Sequence, residues 1–176
     1  MLPARIRVFA LCFALAHACT AFSAFAEPEA KPVDPVGKRL RALSPRANEV
    51  IERGTKRSAT FRLLVETITN SDLVVYLETT KSLPAGLDGR LMFLTAAGGV
   101  RYLHVQVASG LSIDQLVSIA AHELQHAVEV AAHPEVRDAQ SLAALYERIG
   151  IPGIVKNRYD TLGAQSSGKR VRAELG

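Results

Sequence analysis

The sequence has no tryptophan, two cysteines and only 6% aromatic residues. Both cysteines, Cys12 and Cys19, lie near the N-terminus, so the rest of the chain has no disulfide and depends on its hydrophobic core. Long apolar runs are also missing. Val8 through Ala16 is apolar, but it is short of the roughly 20 residues of a membrane span and His17 interrupts it. Neither sign of charge dominates, with 21 Lys+Arg against 17 Asp+Glu. The short basic clusters Lys38-Arg39-x-Arg41, Lys56-Arg57 and Lys169-Arg170-x-Arg172 carry no interleaved aromatics. They read as solvated helix faces, and no nucleic-acid partner is expected. One absence is local: Lys and Arg do not occur between Ile113 and Val136.

Residues 1–26 have the layout of a secretory signal peptide. Arg5 and Arg7 form a positive start, the apolar stretch follows, and Ala24-Phe25-Ala26 supplies a small-x-small cleavage site. A lipid-modified Cys19 is the less favoured option, because Ala16-His17-Ala18 is a poor lead-in. Cleavage near Ala26 predicts an exported protein, periplasmic or secreted, without a stable membrane span. Its formal charge would fall from +4 to +2 as Arg5 and Arg7 leave. Residues 27–43, with Pro28, Pro32 and Pro35, read as a flexible leader. Residues 44–176 are expected to form a single domain, long enough to bury roughly 70% of the unfolded chain's surface.

Within that domain, Ser44-Pro45 is a helix start, and the helix is expected to stop near Gly54. Phe61, Leu64, Val65 and Ile68 share one face of a helix from Ser58. Three strands are expected over Asp72–Glu78, Arg90–Thr95 and Tyr102–Val107. Leu83-Pro84-Ala85-Gly86 and Asp88-Gly89 are turns, and Gly98-Gly99 is a tight turn closing a hairpin. Ser112 and Gln115 then form a capping-box pattern, and apolar residues repeat at helical spacing from Ile113 to Ala131. A shorter helix spans Asp138–Ile149, capped by Asp138 and stopped by Gly150. Asn157 to Leu175 has helical character, which Gly163, Gly168 and the paired serines weaken.

The long helix contains His122-Glu123-Leu124-Gln125-His126. Residues four apart lie one turn apart on the same face, so both imidazoles can converge on one tetrahedral zinc. Glu123 projects beside them, placed to take a proton from water without ligating the metal. The histidines fall nearly opposite the apolar stripe centred on Ile113, Ala120 and Leu124. The lack of Lys and Arg along this helix suits a buried metal face better than a solvated one.

The stretch Ile119-Ala120-Ala121-His122-Glu123-Leu124-Gln125-His126-Ala127-Val128 resembles the zincin metallopeptidase signature, with uncharged residues around the motif and a hydrophobic one at its end. The resemblance implies an α+β fold: a small, mostly antiparallel three-stranded sheet packed on the active-site helix, flanked by N- and C-terminal helices. It also implies an exported zinc hydrolase, acting on a peptide or protein through Glu123. A non-catalytic zinc-binding or interaction protein on the same scaffold is the alternative. The metzincin subclass is excluded, since Glu129 and Ala132 stand where it requires Gly and His.

Glu129 lies two turns from His122, about 10 Å along the axis, too far to share its metal on a straight helix. It reads instead as a supporting or surface carboxylate, and His133 is farther still. By resemblance to gluzincins and aspzincins, the third ligand is an acid on a later helix. Among Glu135, Asp138, Glu147, Asp160 and Glu174, Asp160 is favoured, its competing role being a helix N-cap. Tyr159, Tyr146 and His104 are candidates for stabilising an oxyanion, and the sequence does not choose among them. Tyr102–Val107 resembles the zincin edge strand that pairs with an extended substrate.

Overall fold

Ser44 and Ser58 set the first two helices of the computed structural model, which describes residues 39–152 and 159–176. Each serine hydroxyl accepts from the backbone N–H three residues on, giving α1 (Pro45–Arg57) and α2 (Ala59–Thr69). Helix α1 does not stop at Gly54. The Phe61 ring packs so closely there that an added Cβ would lie 2.7 Å from it, so Gly54 is a packing glycine within the helix. The expected signal peptide and residues 27–38 lie outside the described residues. The expected leader nonetheless ends early, because Leu40–Ala42 form a strand, β1, parallel to the next one. Among the described residues no helix is long and apolar enough to cross a membrane.

The fold is α+β, but the sheet is four-stranded and mixed rather than three-stranded and mostly antiparallel. Strands β2 (Leu73–Thr80), β3 (Gly89–Ala97) and β4 (Val100–Ala108) join β1 in the order β1-β2-β4-β3. The first three strands in that order run parallel, and only β3 is antiparallel. Burial accounts for the order. In β4, Leu103, Val105 and Val107 are buried, whereas β3 is nowhere fully buried and suits an edge. The chain therefore runs past the central slot into β3, turns at Gly98 and Gly99 with φ of 57° and 77°, and returns along β4. The substrate-pairing edge expected at Tyr102–Val107 is thus an interior strand. Among the described residues the edges are the three-residue β1 and the longer β3, and it is β3 that borders the motif helix's cleft.

Helix α3 (Ile113–Ala131) packs on the inner face of this sheet. Its capping box forms as expected between Ser112 and Gln115. Leu116, Val117, Ala120 and Leu124 meet Val75, Leu77, Leu103 and Val105 in one core. Each large aliphatic side chain fully buried there contributes about 1.5–3 kcal/mol. Helix α4 (Ala139–Ile149) begins at Asp138 and stops at Gly150. The short hairpin of β5 (Ile151–Pro152) and β6 (Tyr159–Asp160) follows, and then α5 (Leu162–Leu175). The small residues of α5 let it approach α3 closely. Ser118 Oγ donates to the Gly168 carbonyl at 3.1 Å, and Ser167 Oγ to Gln125 Oε1 at 3.0 Å.

Candidate metal centre

One turn of α3 separates His122 from His126, and their rings lie 5.0 Å apart, nearly perpendicular. Both Nε2 atoms point toward Asp160, at the end of β6. Asp160 Oδ1 lies 3.3 Å from Nε2 of His122 and 3.9 Å from Nε2 of His126. One ligand atom from each of the three residues falls within 4.8 Å of the others. Two imidazole nitrogens and a carboxylate oxygen around a tetrahedral ion, with bonds of about 2.0–2.2 Å, stand roughly 3.4 Å apart. The donor set and its spacing fit a metal ion.

Asp160 is not the N-cap of α5. Thr161 is, its hydroxyl accepting from Ala164 N at 3.0 Å. Asp160 is oriented from both sides, Oδ1 accepting from Thr161 N at 2.7 Å and Oδ2 from Gln165 Nε2 at 3.0 Å. The other acids are committed elsewhere. Asp138 caps α4, and Glu135 meets His133 and Arg148. Glu174 accepts from the Ser58 hydroxyl and from Thr60, and Glu147 is exposed at the cleft rim.

Glu129 supports the site without joining it. Its Oε2 lies 2.9 Å from His126 Nδ1, and its Oε1 accepts from the Thr161 hydroxyl at 2.6 Å. A carboxylate only accepts, so the proton sits on Nδ1 and the Nε2 lone pair is left for a metal. Through Thr161 the same carboxylate ties the Asp160 segment to α3. Burial disfavours a charged His126, but the bond to Glu129 and the neighbouring carboxylates outweigh it and raise its pKa. His122 is lowered, chiefly by burial and then by His126. Substituting Glu129→Gln is expected to weaken metal binding by about 10–100-fold, read by competition with a chelator. An unchanged affinity would mean that the Glu129 bond is incidental.

Glu123 is 6% exposed, and burial pushes its carboxyl up to about 7. Gly89, the first residue of β3, lies directly against it. A Cβ on Gly89 would come within 2.6 Å of Glu123 Oε1, so the missing side chain is what lets the edge strand pass over the carboxyl. The site opens into a cleft of about 440 Å³ between β3 and α4, with Leu91, Leu142 and Tyr146 in its walls.

The three oxyanion candidates separate in the structure. His104 belongs to the opposite face of the sheet, its Nε2 lying 3.0 Å from Glu78 Oε2, and takes no part. Tyr146 lines the cleft, but its hydroxyl donates to the His126 carbonyl at 3.0 Å and lies 3.3 Å from Glu129 Oε2. Burial, with Glu129 beside it, raises its pKa further. Tyr159 also lines the cleft, next to Asp160. The sequence marks Gly89 as a turn residue and carries no signal for Thr161. A glycine opening a strand signals close approach of another group, whereas Thr161 owes its role to a contact 32 residues away. Compared with protein-family models, curated proteins and solved structures, the chain matches none.

Proposed function

We propose that this protein is an exported zinc-dependent peptidase in which Glu123 is the general base. The observation that carries the reading is the convergence of His122, His126 and Asp160 beside a buried carboxyl, in a cleft open to solvent. Two imidazoles and one carboxylate suit zinc, and three protein ligands leave a position for water or substrate. A zinc ion bound there would supply Lewis acidity, polarising a substrate carbonyl and acidifying water.

The chain's own residues do the rest. Glu123, with its carboxyl raised to about 7, can accept a proton from water near neutral pH and pass it to a leaving amine. Glu129 and Thr161 hold the ligands in place. The unpaired edge of β3 offers main-chain donors and acceptors to an extended peptide, as the resemblance to zincins implies, although on a different strand from the one first expected. Tyr159, which lines the cleft, is the tyrosine we assign to the oxyanion, because the Tyr146 hydroxyl is already engaged.

Metal content and hydrolysis test the reading together. The purified full chain should carry about one zinc, and His122→Ala and His126→Ala should each lose it. A peptide library should be cleaved by the wild type and by neither variant. Zinc bound without any cleavage would favour the non-catalytic alternative, and no zinc at all would overturn the site.

A further inference from the structure

A second cleft, of about 410 Å³, opens on the other side of His122 and Glu123, between α5 and the 86–89 turn. The two clefts share His122, Glu123, Leu87 and Gly89, so they adjoin at the site. Their walls differ in chemistry. The α4 arm has Leu91, Leu142, Ala143 and Tyr146 in its walls, with one charge of each sign, Arg90 and Glu147. The α5 arm is walled by Gln165, Gly168, Lys169 and Arg172, which share one helix face by their spacing. Gly168 keeps the floor open, since a Cβ there would already touch the His122 Cβ at 3.4 Å.

Lys169 and Arg172 are both exposed. Among the described residues neither meets a carboxylate of the protein, and the acids lining this cleft are Asp88 and the buried Glu123. By sequence alone this basic cluster reads as a solvated helix face. The fold instead places two of its cations in the wall of a cleft that reaches His122 and Glu123.

We infer that the substrate is a peptide carrying a carboxylate on the α5 side of the scissile bond and an apolar side chain on the α4 side. This rests on the peptidase reading above and adds the substrate class. Lys169 and Arg172 recognise the carboxylate, and Leu91, Leu142 and Tyr146 receive the apolar side chain. Two exposed ion pairs together give roughly tenfold discrimination. The carboxylate can be an Asp or Glu side chain or the peptide's own C-terminus.

The test uses the zinc-loaded full chain and peptides that differ only in one residue near the cleavage point: Glu, Gln or Lys, each with a free or an amidated C-terminus. The wild type should cleave the Glu peptide, or the free-acid form, with a kcat/KM roughly tenfold above the Lys or amidated form. Which pair shows the difference identifies the source of the carboxylate. Replacing Lys169→Glu and Arg172→Glu together should invert the ratio, while Lys169→Arg should preserve it. Binding of the same peptides to Glu123→Gln protein, followed by fluorescence anisotropy, should show the same ordering without turnover. Cleavage with no charge preference, or a ratio unchanged in the double variant, overturns this inference and leaves the peptidase reading intact. No cleavage and no peptide binding overturns both.

Discussion

Glu123→Gln is expected to abolish turnover, lowering kcat by about 10³-fold or more, while metal content stays at the wild-type level. Glutamine fills the same space and cannot take a proton, so the loss measures the base itself. A positioned general base contributes roughly 10²–10⁴-fold, and no other buried carboxyl stands at the site to replace it. The same variant should also be the more stable protein when metal-free. Burial raises the folded carboxyl to about 7 against an ordinary 4.5, so the folded state holds this proton more tightly than the unfolded state. Wild-type stability is therefore fully present below about 4.5 and lost as pH rises through about 7. Glutamine has nothing to titrate, so at pH 8 the metal-free variant should exceed the wild type by about 1–3 kcal/mol. At pH 4 the gap should close. Urea titrations at the two pH values give both numbers. Equal activity in the two proteins would remove Glu123 from the mechanism, and equal stability at pH 8 would mean that its carboxyl is not strained by burial.

How much of this was readable in advance depends on sequence separation. His122, Glu123 and His126 lie on one helix whose cap, periodicity and lack of cations are all local. Their geometry follows from 3.6 residues per turn, and the structure keeps it. Asp160 came only from a resemblance, because the contacts that set it, Thr161 to Glu129 above all, span 32 residues. The three long strands were visible as segments, but their order was not. Alternation fixes which face a side chain takes, not which strand lies beside it, and β1 is too short at three residues to show any period. His104 is the instructive case. It alternates with Leu103 and Val105, so the pattern already placed it on the face turned away from α3. The glycines and serines of α5 look like weak helix formers in isolation, and only the close approach to α3 explains them. Lys169 and Arg172 looked like ordinary surface charge because the groove they face is built by the 86–89 turn, distant in sequence.

Arg101→Ala is expected to destabilise the protein by about 4 kcal/mol or more, which is comparable to the whole stability of a small domain at the low end of the usual range. Arg101 sits on the inner face of β4 and is completely buried. Its guanidinium grips Asp72 in a bidentate pair, through Nε at 2.8 Å and Nη2 at 2.6 Å. Its Nη1 faces the carbonyls of Val130 at 2.9 Å, His133 at 2.8 Å and Val136 at 3.3 Å. The Val130 and His133 carbonyls also accept from the backbone N–H of His133 and Val136, so the guanidinium adds a second donor at the end of α3, and a cation there also opposes the helix dipole. One side chain thus clamps the C-terminal end of the metal-bearing helix to the start of β2. Removing it takes the bidentate partner from Asp72 and leaves a cavity where the guanidinium lay, and breaking a buried pair in this way costs about 3–5 kcal/mol. Asp72→Asn should cost less, about 2 kcal/mol, because that side chain is one-third exposed and can still accept one bond. The pH dependence separates the charge from the packing. Burial tends to raise the Asp72 carboxyl, but the hydrogen bonds and charge of Arg101 outweigh it and hold the pKa low. The stabilisation is then present above the unfolded carboxyl value of about 3.9 and is lost as pH falls through the lower folded value. Wild type and Asp72→Asn should therefore differ at pH 7 and converge as pH falls through the lowered folded value. Urea unfolding of both singles and of the double variant with Arg101→Met gives the coupling between the two residues. Additive effects would mean that the pair is geometric only, and that the clamp on α3 is carried by the carbonyls alone.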